Sequence, residues 1–317
     1  MKKSLIALAV LAASGAAMAQ SSVTLYGRVD ASLGTTKNTV TDVSTTKLFN
    51  GSDAGLTGSR WGMKGTEDLG GGLNAVFVLE NRFNVDEGTS AGQFLGDAYV
   101  GLTGGFGTVH LGRTYSVFDS AKAVSVASNV FDSSFTAYAS PAYEVRGANQ
   151  IKYVSPSFSG FSVAASVALK ESNVAGAENT NSLGLFYAAG PLKAALAMQT
   201  REIGDNAVVS VDYNFGVASV SAGYSDFDGN GANVDASGWS IGATMPMGAM
   251  KFSVGYAEGE TEGAAPTDKT SFGLGATYSL SKRTTLYVGY NDRKTETTAG
   301  VKTVGTRLYA AGVRHDF

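Results

Sequence analysis

The chain ends RLYAAGVRHDF (307–317), and read in twos that stretch divides into two rows. Phe317, His315, Val313, Ala311 and Tyr309 make one row; Asp316, Arg314, Gly312 and Ala310 make the other. The first is mostly apolar with an aromatic at each end. The second holds the two charges nearest the terminus. A period of two belongs to a strand whose faces meet different surroundings.

Working back from the terminus, the same rhythm recurs in sixteen segments, from 23–33 through 94–103 to 304–317. In 73–83 the odd positions Leu73, Ala75, Phe77, Leu79 and Phe83 are apolar, while Glu80 and Arg82 lie in the even set. In 161–169 one row is Phe161, Val163, Ala165, Val167 and Leu169; the other is Ser162, Ala164, Ser166 and Ala168. Connections alternate between short turns such as 68–72, 190–191 and 281–283 and longer polar stretches such as 34–57, 171–180 and 294–303. An even strand count with short turns at one end and long loops at the other is the pattern of an outer-membrane barrel.

A soluble sandwich also alternates, so the aromatics arbitrate. The apolar register puts Tyr153, Phe161, Tyr187, Tyr213, Tyr278 and Phe317 at one rim and Phe83, Tyr224, Trp239, Tyr256 and Tyr290 at the other. Two aromatic girdles around a band of Val, Leu, Ala and Gly suit the two interfaces of a bilayer. The opposite rows are too small and polar to fill a core, and sixteen strands enclose room for water. The expected fold is an all-β, 16-stranded antiparallel transmembrane barrel.

Composition agrees. Glycine supplies 41 of 317 residues, and charged residues are 16%. The first nineteen residues, with a basic MKK, an apolar core and AMA before Gln20, have the form of an export leader cleaved between Ala19 and Gln20. That makes 1–19 the leader and 20–317 the barrel. Loss of Lys2 and Lys3 leaves 22 basic against 27 acidic side chains, a balance of −5 that gives no case for nucleic acid. An exported chain with no cysteine has no disulfide framework.

One connection breaks the rhythm. Residues 114–143 are long, rich in aromatics and poor in charge, which suits a packed functional loop. Other stretches imitate chemistry without completing it. Residues 226–237 begin like a calcium loop but end on Ser237 where a glutamate is needed, and they lie between strands. His110 and His315 are the only histidines, and no glycine-rich phosphate loop is placed between a strand and a helix. No cofactor, no metal site and no catalytic residue are expected. A substrate-specific channel would use the same barrel, and an outer-membrane enzyme would need a serine beside a histidine.

The sequence resembles the Gram-negative general porins of the beta-proteobacterial type. The likeness spans the mature chain through SSVTLYGRVD (21–30), SRWGMKGTEDLGGGL (59–73), AYVGLTGGFGTVHLGRTY (98–115), NQIKYVSPSFSGF (149–161) and GVRHDF (312–317). The resemblance implies an outer-membrane homotrimer of channels for small hydrophilic solutes and ions, surrounded by lipid and lipopolysaccharide. In each barrel the third extracellular loop, here 114–143, folds into the lumen as a constriction. It implies basic wall residues at Arg28, Arg60, Arg113 and Arg146, facing the loop acids Asp119, Asp132 and Glu144. It also implies that Phe317 is the handle for the barrel-assembly machinery. Arg28, Arg60 and Arg146 fall in polar registers; Arg113 shares parity with Val109 and Leu111 and needs a register change. Where many relatives carry an arginine this chain reads FLGDAYVGL, with Gly96 and Asp97, and the acidic Pro-Glu loop motif is absent. The expected selectivity is a weak anion preference.

Overall fold

A computed structural model describes residues 22–90, 92–125, 143–171, 178–231, 234–263 and 265–317. The leader with Ala19 and Gln20, and residues 126–142 with Asp132, lie outside the described residues.

The strands are β1 (Ser22–Asn38), β2 (Ser44–Asn50), β3 (Ser59–Gly70), β4 (Leu73–Phe83), β5 (Ala98–Gly104), β6 (Gly107–Tyr115), β7 (Arg146–Val154), β8 (Phe161–Ala168), β9 (Thr180–Ala189), β10 (Leu192–Arg201), β11 (Gly204–Asn214), β12 (Ser219–Gly229), β13 (Ala236–Met247), β14 (Met250–Thr261), β15 (Thr267–Ser279), β16 (Thr284–Thr297) and β17 (Lys302–Asp316). From β3 to β17 each strand pairs antiparallel with the next, and β1 pairs with β17 from Arg28↔Asp316 to Asn38↔Thr306. The sheet is therefore closed and exposes no long edge. On its other side β1 pairs with β3 over Ser22–Arg28 and with β2 over Ala31–Lys37. β2 and β3 are thus two halves of one stave, and the seventeen strands build a sixteen-stave barrel.

Alternation along each strand sets the two faces. In β10 Leu196 and Met198 are exposed while Ala195 and Ala197 are buried. Exposed apolar rows of this kind run around the outside, where lipid replaces water. Rim aromatics meet across strands: the Phe161 and Tyr187 rings lie tilted against each other at one end, with centroids 4.6 Å apart. At the other, Trp239 meets Tyr256, and Tyr290 meets both Phe272 and Tyr309. Among the described residues no helix is long and apolar enough to cross a membrane; the chain crosses with strands.

The seam rests on the two ends of the chain. Phe317 N–H donates to Gly27 O at 3.0 Å and Gly27 N–H to Phe317 O at 3.1 Å. The Phe317 ring stands over Gly27, where a Cβ would lie 2.3 Å from the ring. Only glycine leaves room for that closure.

Two expectations need correction. Residues 34–57 are not one polar loop: β1 runs on to Asn38, Ser44–Asn50 is a strand, and a one-turn helix follows at Gly51–Ala54. Its apolar residues Phe49, Ala54 and Leu56 face Tyr287, Leu308 and Ala310 inside the wall, which hides the strand signal. The segment placed at 94–103 begins as a strand only at Ala98, because Phe94 turns the chain with φ 51°.

Candidate functional site: a chain of guanidinium groups on the inner wall

The even positions of β1 and β3 and their partners face away from lipid, so their charges share the inside. Arg28 Nε donates to Asp316 Oδ1 at 2.5 Å, and Arg314 lies 3.2 Å from the other oxygen of that carboxylate. On the next stave Arg60 Nη2 donates to Thr57 Oγ1 at 2.6 Å, and Nη1 is 3.7 Å from Glu80 Oε1. Glu80 is a hub. It also accepts from Arg82 Nε at 3.2 Å and from Tyr26 OH at 3.3 Å.

The chain of charge continues through an aromatic. Arg82 Nη2 donates to Tyr115 OH at 3.3 Å, and the Arg146 guanidinium lies 3.5 Å over the Tyr115 ring. Arg146 Nε donates to Asp97 Oδ1 at 3.2 Å. Burial pushes the Asp97 carboxyl above the usual carboxylate range, with the Arg146 guanidinium pulling the other way. Arg60 Nε and Arg146 Nη2 are buried donors without a hydrogen-bond partner.

The β6–β7 ladder shifts register beside Arg113, between Gly112 and Thr114, with the extra residue on β7. Across β5–β6 Arg113 stays opposite Ala98. Its nitrogens reach two carbonyls, Leu95 O at 3.3 Å and Arg146 O at 3.4 Å.

The long loop begins on the wall face opposite the exposed apolar rows. A short helix, Val117–Lys122, buries Val117, Phe118 and Ala121 against Ala164, Ala195, Ala197 and Val208. Small residues on β8, β10 and β11 make that close approach possible. Lys152 Nζ ties the loop's start by donating to Tyr115 O at 2.8 Å and Ser120 Oγ at 3.3 Å. Asp119 accepts from Tyr143 OH at 3.0 Å, joining the two limbs of the loop. Glu144 is held through its backbone: its N–H donates to Gln199 Oε1 at 2.6 Å and its carbonyl accepts from Gln199 Nε2 at 3.3 Å. Its side chain lines a cleft with Lys170, Arg201 and Glu202.

The structure thus links Arg60 and Arg146 through Glu80, Arg82 and Tyr115, with Arg113 against the Arg146 carbonyl. Arg28 stands on the adjacent stave, bound to Asp316. Among the described residues Glu80, Asp97 and Asp316, from the wall or its edge, meet these guanidiniums, and Asp119 and Glu144 make the contacts described above. Glu80 and Arg82 were visible in the sequence as the polar row of 73–83. Gly96, read there as part of a missing cation, lies beside Glu80: a Cβ on it would be 2.4 Å from Glu80 Oε1. His110 stacks on Tyr99 with ring centroids 4.0 Å apart, and His315 Nδ1 is 2.9 Å from Thr284 Oγ1. Asp226 and Asp228 end β12 in register with Ala207 and Asp205. Among the described residues no group of three or more His, Cys, Asp or Glu could hold a metal ion.

A closed sixteen-stave barrel with lipid-facing aromatic rims and a charged inner wall defines a class, the channels of the Gram-negative outer membrane. Within it, the model of the Gram-negative porin family matches residues 5–298, and this chain belongs to that family. It is 34% identical to outer membrane porin protein 32 of Delftia acidovorans, over 99% of this chain and 95% of that protein. It is 30% identical to an outer membrane porin protein of Bordetella pertussis, over 100% of both chains. Among solved structures it resembles an anion-selective porin from Comamonas acidovorans, with a TM-score of 0.80, 27% identity, and coverage of 94% of this chain and 100% of that one. The chain is an outer-membrane porin, a channel former and not an enzyme.

Proposed function

We propose that the channel passes small hydrophilic solutes and ions passively with a weak anion preference. Its narrowest section lies where Arg28, Arg60, Arg113 and Arg146 on the wall meet loop 114–143 with its acids Asp119, Asp132 and Glu144. The observation that carries this reading is the imbalance in the guanidinium chain. Among the described wall residues, Arg28, Arg60, Arg82, Arg113, Arg146 and Arg314 outnumber the carboxylates of Glu80, Asp97 and Asp316, and Arg60 Nε and Arg146 Nη2 have no hydrogen-bond partner. An excess of fixed positive charge around a pore favours anions. The anion-selective porin of Comamonas acidovorans supports the same sign. The test is the reversal potential of the purified protein in a planar bilayer under a salt gradient. Arg60→Gln with Arg146→Gln should move it toward cations; an unchanged potential would sink the assignment.

The same reading extends to the whole protein. Residues 1–19 are an export leader cleaved between Ala19 and Gln20, and the mature barrel assembles as a homotrimer within lipid and lipopolysaccharide. An OmpT barrel of Vibrio cholerae, alike in fold, is described in a trimer form. Phe317 is the handle presented to the barrel-assembly machinery. Its bonding to Gly27 at the seam suits a residue that takes part in closure.

A further inference from the structure

The stave shared by β2 and β3 is interrupted at 51–58, and that interruption does not loop outward. Its backbone lies on the channel side of β1. Asp30, fully buried, accepts through Oδ2 from Leu56 N–H and Thr57 N–H, each at 3.0 Å, and through Oδ1 from Tyr287 OH at 2.5 Å. Ser32 Oγ donates to Ala54 O at 2.7 Å. Asn50 caps the short helix by accepting from Ser52 N–H at 2.8 Å. Phe49, Ala54 and Leu56 cover Tyr287, Leu308 and Ala310, while Leu33, Val288 and Tyr309 in the alternate rows remain exposed outside.

The fold is tight enough to require its glycines. A Cβ on Gly51 would lie 2.0 Å from Thr57 O and 2.7 Å from Asp30 Cβ, and one on Gly55 would lie 2.5 Å from Gly51 Cα. Backbone that leaves a ladder must find other partners for its polar groups. Here one carboxylate supplies them, bracing the segment against two strands, β1 and β16. The segment ends by touching the guanidinium chain, because Thr57 Oγ1 accepts from Arg60 Nη2 at 2.6 Å. Ser52 and Asp53 are left exposed on its free side.

We propose that residues 50–58 form a second inward insert, on the stave beside Arg28, and that Asp30 is its positioning residue. The insert narrows the channel from the side of β1, β16 and β17 and fixes the direction in which Arg60 points. The second clause rests on the reading of Arg60 as a selectivity residue; the first does not.

The chain contains no cysteine, so a single introduced thiol reports on one place. Ser52→Cys, purified and inserted in a planar bilayer, is treated with a negatively charged methanethiosulfonate. The expected result is a stepwise loss of conductance and a shift of the reversal potential toward cations. Asp30→Asn and the milder Tyr287→Phe should raise single-channel conductance and weaken the anion preference in protein that still runs as a folded, heat-modifiable form. Full conductance after complete labelling of Ser52→Cys would overturn the insert. Wild-type conductance and potential in folded Tyr287→Phe would overturn the positioning role, even if Asp30→Asn fails to fold. If Arg60→Gln with Arg146→Gln leaves the potential unchanged while labelled Ser52→Cys loses conductance, the arginine assignment falls and the insert stands.

Discussion

Replacing Asp97 with asparagine removes the carboxylate that answers Arg146 and leaves the guanidinium, 9% exposed and stacked on Tyr115, as an uncompensated charge. An ion passing at about 6 Å from that position in water feels one unit of charge as roughly 0.7 kcal/mol. At 0.1 M salt, with a screening length of about 10 Å, this falls to roughly 0.4 kcal/mol. The change has opposite sign for anions and cations, so the two contributions add in the permeability ratio. The ratio should rise about fourfold toward anions at 0.1 M, and only about 1.4-fold at 1 M, where screening acts over about 3 Å. The assay is the reversal potential of Asp97→Asn against wild type at both ionic strengths.

Acid provides the same perturbation without a substitution. Burial holds the Asp97 carboxyl above the usual carboxylate range, so it gains its proton early as pH falls. Protonation removes a negative charge. Wild type should therefore move toward Asp97→Asn as pH falls, while the variant moves less. An unchanged ratio at low salt, or an equal shift at 0.1 M and 1 M, would refute the electrostatic reasoning. Equal pH responses in the two proteins would remove Asp97 as the titrating group.

Other outcomes follow from single contacts. Gly27→Ala should lower the folded fraction on refolding in detergent, because its Cβ would sit 2.3 Å from the Phe317 ring; Phe317→Ala should relieve much of that loss. Equal losses in both backgrounds would mean that the ring does not pack there. Deleting Phe317 removes both hydrogen bonds to Gly27, so assembly yield should fall before conductance does, and normal yield would count against a role at the seam. Gln199→Leu strands the Glu144 N–H and carbonyl, at about 1–3 kcal/mol for each unpaired buried group. Open-channel current noise should increase with little change in barrel stability; quiet channels would mean that the loop is held elsewhere.

The barrel was legible because lipid and water impose opposite demands on alternate residues, and that demand repeats over sixteen staves. The polar rows that hold Arg28, Arg60 and Arg146 were legible for the same reason. The strand Ser44–Asn50 was not, since STTKLFN directs Phe49 inward onto Leu308 and its neighbours, reversing the usual rule. Glu80 and Asp97 were seen as letters but not as partners. Glu80 meets Arg60 across the β3–β4 ladder, and Asp97 meets a guanidinium 49 residues further on, contacts that no local pattern encodes. The register shift beside Arg113 lies in the β6–β7 pairing, which no local pattern encodes.

The pairing of Arg28 with Asp316 joins residues 288 apart in the chain. Bringing the ends of so long a segment together costs roughly 5 kcal/mol of chain entropy, and folds governed by distant pairings form slowly. The strand that shuts the cylinder is made long after the strand it pairs with. Until β17 arrives, β1 presents an open edge to any other strand in reach. The barrel must therefore be kept from closing wrongly until β17 is available.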